Sequence, residues 1–267
     1  MKYVDLDKEI KNSNSTILKI LPSFFVNWMK LIIKQEEINR ILTKYEGYQG
    51  VDFLPKIIEE LNLKVQIEGL ENLPENGKCF FVANHPFGFV DGLILTHTVG
   101  TKYGTLKAIG NEFFTLAPHL RPIIAAVNVF GTNPKDYLVE LENVFESDSP
   151  ITHFPAGSVS RVRKGKIRDK DWHKSFIKQA SKYQRDIVPF HFIGRNSMLF
   201  YSIYMVRTLL RINVNIEFML LPYEIFHKKN KTVQVRIGKP ISYNTFDDSR
   251  PHKEWAQYVK EQVYLLN

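Results

Sequence analysis

The hydrophobic positions along this chain change period several times, and the changes mark its elements. Over residues 20–44, Phe24, Trp28, Leu31, Ile38 and Leu42 recur at helical spacing, with Asn27, Lys30, Lys34 and Glu37 on the other side. That is the pattern of one amphipathic helix. Phe25, Met29, Ile32 and Ile33 widen its apolar face well beyond a narrow stripe. Such a face suits packing on a core, and it equally suits a helix lying in a lipid interface. Residues 52–61 predict a second, short helix, and residues 64–67 alternate as a half-buried strand does.

Strand-like runs follow at 79–83, 106–109, 123–129, 151–154, 187–192, 214–220 and 232–237. Helical patterns fall between several of them, at 91–99, 134–147, 172–184, 198–210 and 253–265. Strands alternating with helices predict an α/β domain whose sheet is covered by helices. The domain is expected over residues 62–267, and residues 1–61 form an N-terminal helical segment, a cap or membrane-surface element. No linker composition marks the boundary between them.

Composition narrows the classes. At 267 residues, 44% hydrophobic and 24% charged, the chain is long and apolar enough to fold around a core without disulfides. The single cysteine, Cys79, opens an apolar run and reads as an inert core thiol. The first residues are acidic and lack an apolar signal region. The longest charge-free stretch, residues 122–134, is too short to span a bilayer. The expected location is the cytoplasmic side of the inner membrane, peripheral, with no transmembrane span. A net charge of +8 favours an anionic partner: nucleic acid, anionic lipid, a phosphorylated substrate or an acidic carrier protein. No zinc, helix-turn-helix or aromatic RNA-binding pattern accompanies the charge, so nucleic acid is not the favoured partner. The eight histidines form no metal-ligand spacing, and no metal or cofactor is expected.

The chemistry concentrates in two loops. In Asn84-His85-Pro86-Phe87-Gly88-Phe89-Val90-Asp91, a histidine follows directly on a strand-like run, where α/β proteins place reactive groups. A neutral imidazole accepts a proton from an attacking hydroxyl, and a carboxylate on its other nitrogen fixes the tautomer. Asp91 supplies that carboxylate if the Phe87-Gly88-Phe89 turn folds back. The alternative is an ordinary turn with Asp91 capping the next helix, a role compatible with orienting His85. The second loop, Phe154-Pro155-Ala156-Gly157-Ser158-Val159-Ser160-Arg161, follows another strand. Its backbone amides suit an anion or oxyanion, with Gly157, Ser158, Arg161, Arg163 and Lys166 as candidate acceptor- or anion-binding residues. The basic run could equally be a solvated loop. Ser158 and Ser160 do not fit a hydrolase elbow, so the nucleophile is expected to come from the substrate. Pro189 interrupts a strand and points to an edge or a groove wall. Phe87, Phe154 and Pro189 are the candidate groove residues.

These motifs, in this order, resemble the glycerolipid acyltransferase superfamily. That family carries a histidine and an aspartate separated by four residues, then Phe-Pro-Glu-Gly, then Val-Pro. Here five residues separate His85 from Asp91. That expansion and the Phe154-Pro155-Ala156-Gly157 block are similar to a bacterial hemolysin-like subgroup that includes O-acyltransferases of ornithine and glycine lipids. The resemblance spans roughly residues 63–238. It implies a mixed sheet flanked by helices. It also implies acyl transfer from a coenzyme A or acyl carrier protein thioester to a lysolipid hydroxyl. His85 would then be the base and Asp91 its support, with no acyl-enzyme. Ala156 replaces the glutamate associated with a glycerol phosphate acceptor, which favours an N-acylated amino-acid lipid whose carboxylate meets Arg161. The family's arginine-bearing motif has no counterpart over residues 123–133. The alternatives are a lysophosphatidic acid acyltransferase, a hydrolase using the same histidine, and a non-catalytic membrane- or nucleic-acid-binding protein.

Overall fold

The computed structural model describes residues 2–13, 19–127, 135–212 and 215–267. Seven strands form one sheet: β1 (Lys64–Glu68), β2 (Cys79–Ala83), β3 (Lys107–Asn111), β4 (Ile124–Val127), β5 (Ile151–His153), β8 (Asp186–Ile193) and β9 (Thr232–Ile237), in the order β1-β9-β8-β2-β5-β3-β4. Neighbours pair in parallel except β8 with β9, so the sheet is mixed. A separate antiparallel hairpin joins β6 (Arg161–Arg163) to β7 (Lys166–Arg168). Its turn places Lys164 and Gly165 in the left-handed region, as a tight hairpin requires.

Central strands are buried on both faces, which is why 79–83 and 187–192 read as continuous apolar runs. One face holds Phe81, Ala83, Val188 and Phe190 against α3 (Gln35–Lys44), α4 (Phe53–Glu60) and α5 (Phe89–Tyr103). The other holds Phe80, Val82 and Ile187 against α6 (Lys135–Glu146), α7 (Ser175–Tyr183) and α10 (His252–Leu265). Ile41, Leu42, Phe53, Leu54 and Ile57 of the N-terminal segment belong to the first of these cores. Cys79 is buried, and burial pushes its thiol up to about 12.

Three expectations are corrected. The stretch 20–44 is two helices, α2 (Ser23–Ile32) and α3, broken where Lys34 turns left-handed at φ 55°. The break follows from the N-terminal segment, which includes α1 (Leu6–Asn12). The Gln35 side chain accepts from the Leu6 amide, and Asn39 accepts from those of Tyr3 and Val4, so polar positions of α3 face inward. α2 buries Val26 and Met29 and leaves Phe24, Trp28 and Leu31 exposed. The predicted strand at 214–220 is instead a 3₁₀ turn, Ile216–Leu220, leading into α9 (Leu221–His227); Val214 lies outside the described residues. Its alternation is overridden because Glu217 points inward between two arginines. Pro189 lies neither at an edge nor on a groove. It sits in interior strand β8, where advancing from 187 to 190 faces 237 to 241 on the neighbouring segment, a bulge that dispenses with a proline N–H. Residues 128–129 of one predicted strand and Pro134 of one predicted helix also lie outside the described residues, as does most of the 123–133 stretch.

Candidate active site

His85 stands just past the carboxyl end of β2. Its neighbour Asn84 pairs with the backbone of β8, donating to the Phe192 carbonyl at 2.9 Å and accepting from the Phe192 amide at 2.7 Å. Gly88 then adopts φ 85°, reversing the chain into α5. Asp91, in the first turn of α5, reaches back: its Oδ2 accepts the Phe87 amide at 2.8 Å, the Gly88 amide at 2.9 Å and faces His85 Nδ1 at 3.1 Å. Asp91 therefore caps and orients at once, from the third helical position rather than the cap itself. Two backbone amides can only donate, so this oxygen is an acceptor and His85 Nδ1 carries the proton. The lone pair is left on Nε2. Burial raises the pKa of Asp91, opposed by the imidazole and the two amides.

The His85 ring stacks on Phe154, with centroids 4.0 Å apart, and keeps 18% of its side chain accessible. Beside it opens a cavity of about 230 Å³. Pairing between β3 and β5 stops at Ala108–Thr152, and beyond that point the strands part. Ile109 and Gly110 on one side and His153 and Phe154 on the other line the space between them. Phe89 and Leu93 of α5 wall it, Leu54 and Ile123 line it too, and Gly157, Ser158 and Phe218 lie on its boundary. The walls are mostly apolar, so the imidazole is the reactive group of a hydrocarbon-lined space.

The structure thus brings together His85, Asp91, Phe154, Gly157 and Ser158. It separates the others. Phe87 is buried beneath the Lys228 ammonium, 4.6 Å from its ring, and does not line the cavity. Pro189 does not line it either. Arg161 is buried and held: Nε lies 3.2 Å from Glu217 Oε1, and Nη1 donates to the Val159 carbonyl at 2.7 Å. Glu217, fully buried, also accepts from Arg207 at 2.8 Å. Arg161 is therefore held as a structural cation, and it does not line the cavity. Arg163 and Lys166 are exposed on the β6–β7 hairpin, away from the cavity. Ala156 is fully buried among the apolar residues of the second core.

Sequence reasoning missed Asp169. It lies in a charged run, Arg168-Asp169-Lys170-Asp171, that reads as solvated surface, yet it is 1% exposed. Its carboxylate accepts from the His85 amide at 3.3 Å, from the Ser160 hydroxyl and from Trp172 Nε1 at 2.9 Å. The Ser160 amide in turn donates to the His85 carbonyl at 2.8 Å.

The residue-by-residue likeness extends to the whole chain. Residues 9–267 match the family described as Acyltransferase. The chain belongs to that family. It is 40% identical over 264 residues to a lyso-glycine lipid O-acyltransferase of Phocaeicola vulgatus, covering 98% of this chain and 95% of that protein. A lyso-glycine lipid O-acyltransferase of Bacteroides thetaiotaomicron is likewise 40% identical, covering 98% and 97%. Among solved structures, the 1-acyl-sn-glycerophosphate acyltransferase PlsC of Thermotoga maritima aligns with a TM-score of 0.45 and 18% identity, over 98% of this chain and 86% of that one. The resemblance carried by the two motifs is borne out. Among the described residues of this acyltransferase, no helix is long and apolar enough to cross a membrane.

Proposed function

We propose that this acyltransferase moves a fatty acyl group from a thioester onto the hydroxyl of a one-chain lipid of the lyso-glycine type. The observation that carries the reading is His85 held by Asp91 through Nδ1, at the boundary of an apolar cavity and with no hydrogen bond to Nε2 among the described residues. In the proposed step Nε2 takes the proton of the acceptor hydroxyl. The oxygen bonds to the thioester carbonyl carbon, the carbon–sulfur bond breaks, and the imidazolium returns the proton to the departing thiolate. The Ser158 amide makes no backbone hydrogen bond among the described residues and Ser158 lines the cavity, so this amide is the candidate donor to a developing oxyanion. Acyl carrier protein or coenzyme A is the donor carrier, and no other cofactor takes part.

The acceptor class rests on the two relatives and on the absence of the motif's glutamate at Ala156, a buried residue that does not itself line the cavity. Delivery from a bilayer is part of the same reading. Phe24, Trp28 and Leu31 of α2 and Met205, Val206 and Leu209 of α8 (Met198–Leu209) are all exposed. Ile32 and Ile203 pack on one cluster with Phe200 and Leu220, so the two helices flank the same cluster. Val162 and Ile167 of the cationic hairpin join the same cluster, which brings Arg163 and Lys166 beside the apolar face. That combination suits an anionic lipid surface.

The test is purified protein with an acyl carrier protein thioester and N-(3-hydroxyacyl)glycine, read by mass spectrometry. An ester product heavier by one acyl chain is expected. Acylation of lysophosphatidic acid with none of the glycine lipid would overturn the acceptor assignment. Cosedimentation with phosphatidylglycerol vesicles, weakened by Leu209→Glu, checks the membrane face.

A further inference from the structure

We propose that Asp169 is a positioning residue for His85, locking its backbone and supplying a second buried negative charge to the imidazolium. The inference deepens the reading of His85 as the base. Both polar groups of the His85 main chain are gripped by the segment after the Phe-Pro-Ala-Gly loop: its N–H by Asp169 and its C=O by the Ser160 amide, at 3.3 and 2.8 Å. Ser160 and Asp169 are themselves joined through the serine hydroxyl. The two motifs thus interlock at one peptide, and the second fixes where the first presents its ring.

The donor set argues for more than structure. Asp169 accepts from a backbone amide, a hydroxyl and an indole, all neutral, and no ion pair to it is formed among the described residues. A buried carboxylate without a cation is costly and is expected to serve a charge that comes and goes. His85 acquires such a charge when it takes the acceptor proton. The amide and the indole cannot turn round to accept, and each lies on a different oxygen of Asp169, so the ionised form fits the site. The other titratable groups nearby are accounted for. Tyr264 of α10 donates nothing to the carboxylate and meets the Asp169 amide at 2.9 Å. Arg168 lies over the Tyr264 ring and 3.6 Å from Glu261, and Lys260 lies 3.7 Å from Asp171. Around His85 stand Asp91, beyond it Lys228 over Phe87, His153 on the cavity, and His173 against Gly157.

The experiment is a ¹³C-histidine titration by NMR of the full chain, wild type against Asp169→Asn. Losing an anion near the ring disfavours the imidazolium, so the His85 midpoint should fall by roughly half a unit or more. The acid limb of kcat/KM should move to lower pH alongside. Asp169→Glu should restore part of the midpoint. An unchanged His85 midpoint in a folded Asp169→Asn protein would overturn the proposal. If that variant does not fold, the wild-type Asp169 carboxyl carbon gives the answer: an inflection at the His85 midpoint supports the coupling and its absence refutes it. The titration reads the ring whether or not His85 is the base. Failure of the base assignment would show separately, as undiminished turnover in His85→Gln.

Discussion

Replacing Asp91 with asparagine tests how much of the reaction depends on the charge behind the ring. The Asp91 carboxylate lies 3.1 Å from His85 Nδ1 and is wholly buried. With charge centres about 4 Å apart and an effective dielectric near 20, a full imidazolium–carboxylate pair is worth about 4 kcal/mol. Asparagine keeps a neutral hydrogen bond worth about 1 kcal/mol. The proton is only partly transferred in the transition state, which leaves a net loss of about 2–3 kcal/mol, or roughly 30- to 150-fold in kcat. Asp91 does not line the cavity, so KM for donor and acceptor should hold. The fold should hold too, because the asparagine oxygen still accepts the Phe87 and Gly88 amides. Steady-state kinetics with a thermal melt on the same preparation separates the two effects. Wild-type kcat in Asp91→Asn would refute the electrostatic role. A loss confined to KM would place Asp91 in binding instead.

Other outcomes follow from the same contacts. Gly194→Ala should destabilise by about 2 kcal/mol or more, because its Cβ would lie 2.3 Å from the Phe87 ring at φ 143°; a wild-type melting temperature would contradict this packing. Arg161→Ala leaves the fully buried Glu217 with Arg207 alone. It should cost stability toward the lower end of the 3–5 kcal/mol typical of a broken buried pair, about 3 kcal/mol. A raised acceptor KM with unchanged melting would restore Arg161 to the acceptor site. Burial lowers the pKa of His153 to about 4, with nearby His173 adding to the effect. Its unfolded value is near 6.5, so the unfolded chain binds the extra proton between these limits. Stability should therefore be full above about pH 6.5 and fall toward pH 4, by on the order of 3 kcal/mol from His153. Asp91 and Asp169, raised by burial, act in the opposite sense. His153→Gln should flatten the acid loss in melts at decreasing pH, and an unaltered slope would exclude His153 as its source.

The parts legible in the sequence are those where local chemistry and tertiary demand agree. The run 79–83, buried on both faces, could only be a central strand, and a Pro/Gly turn after it made His85 accessible. Asp91 lay within reach of the histidine by chain connection alone. Elsewhere long-range partners decided. Lys34 breaks the helix because Tyr3, Val4 and Leu6 pack on Gln35 and Asn39, over thirty residues away in the case of Asn39. Glu217 turns inward because Arg161, fifty-six positions earlier, is buried beside it. Asp169 carries the same side chain as its solvated neighbour Asp171, and the indole of Trp172, the Ser160 hydroxyl and the His85 amide distinguish them. The cavity arises from two strands parting after two residue pairs, which no periodicity records.

The central claim is that one imidazole, without a covalent intermediate, removes the acceptor's proton. Single-turnover acyl transfer to the glycine lysolipid by His85→Gln, set beside wild type, tests it most directly. The account predicts a rate lower by roughly 10²–10⁴ with the fold intact. A variant that transfers the chain at the wild-type rate would contradict it.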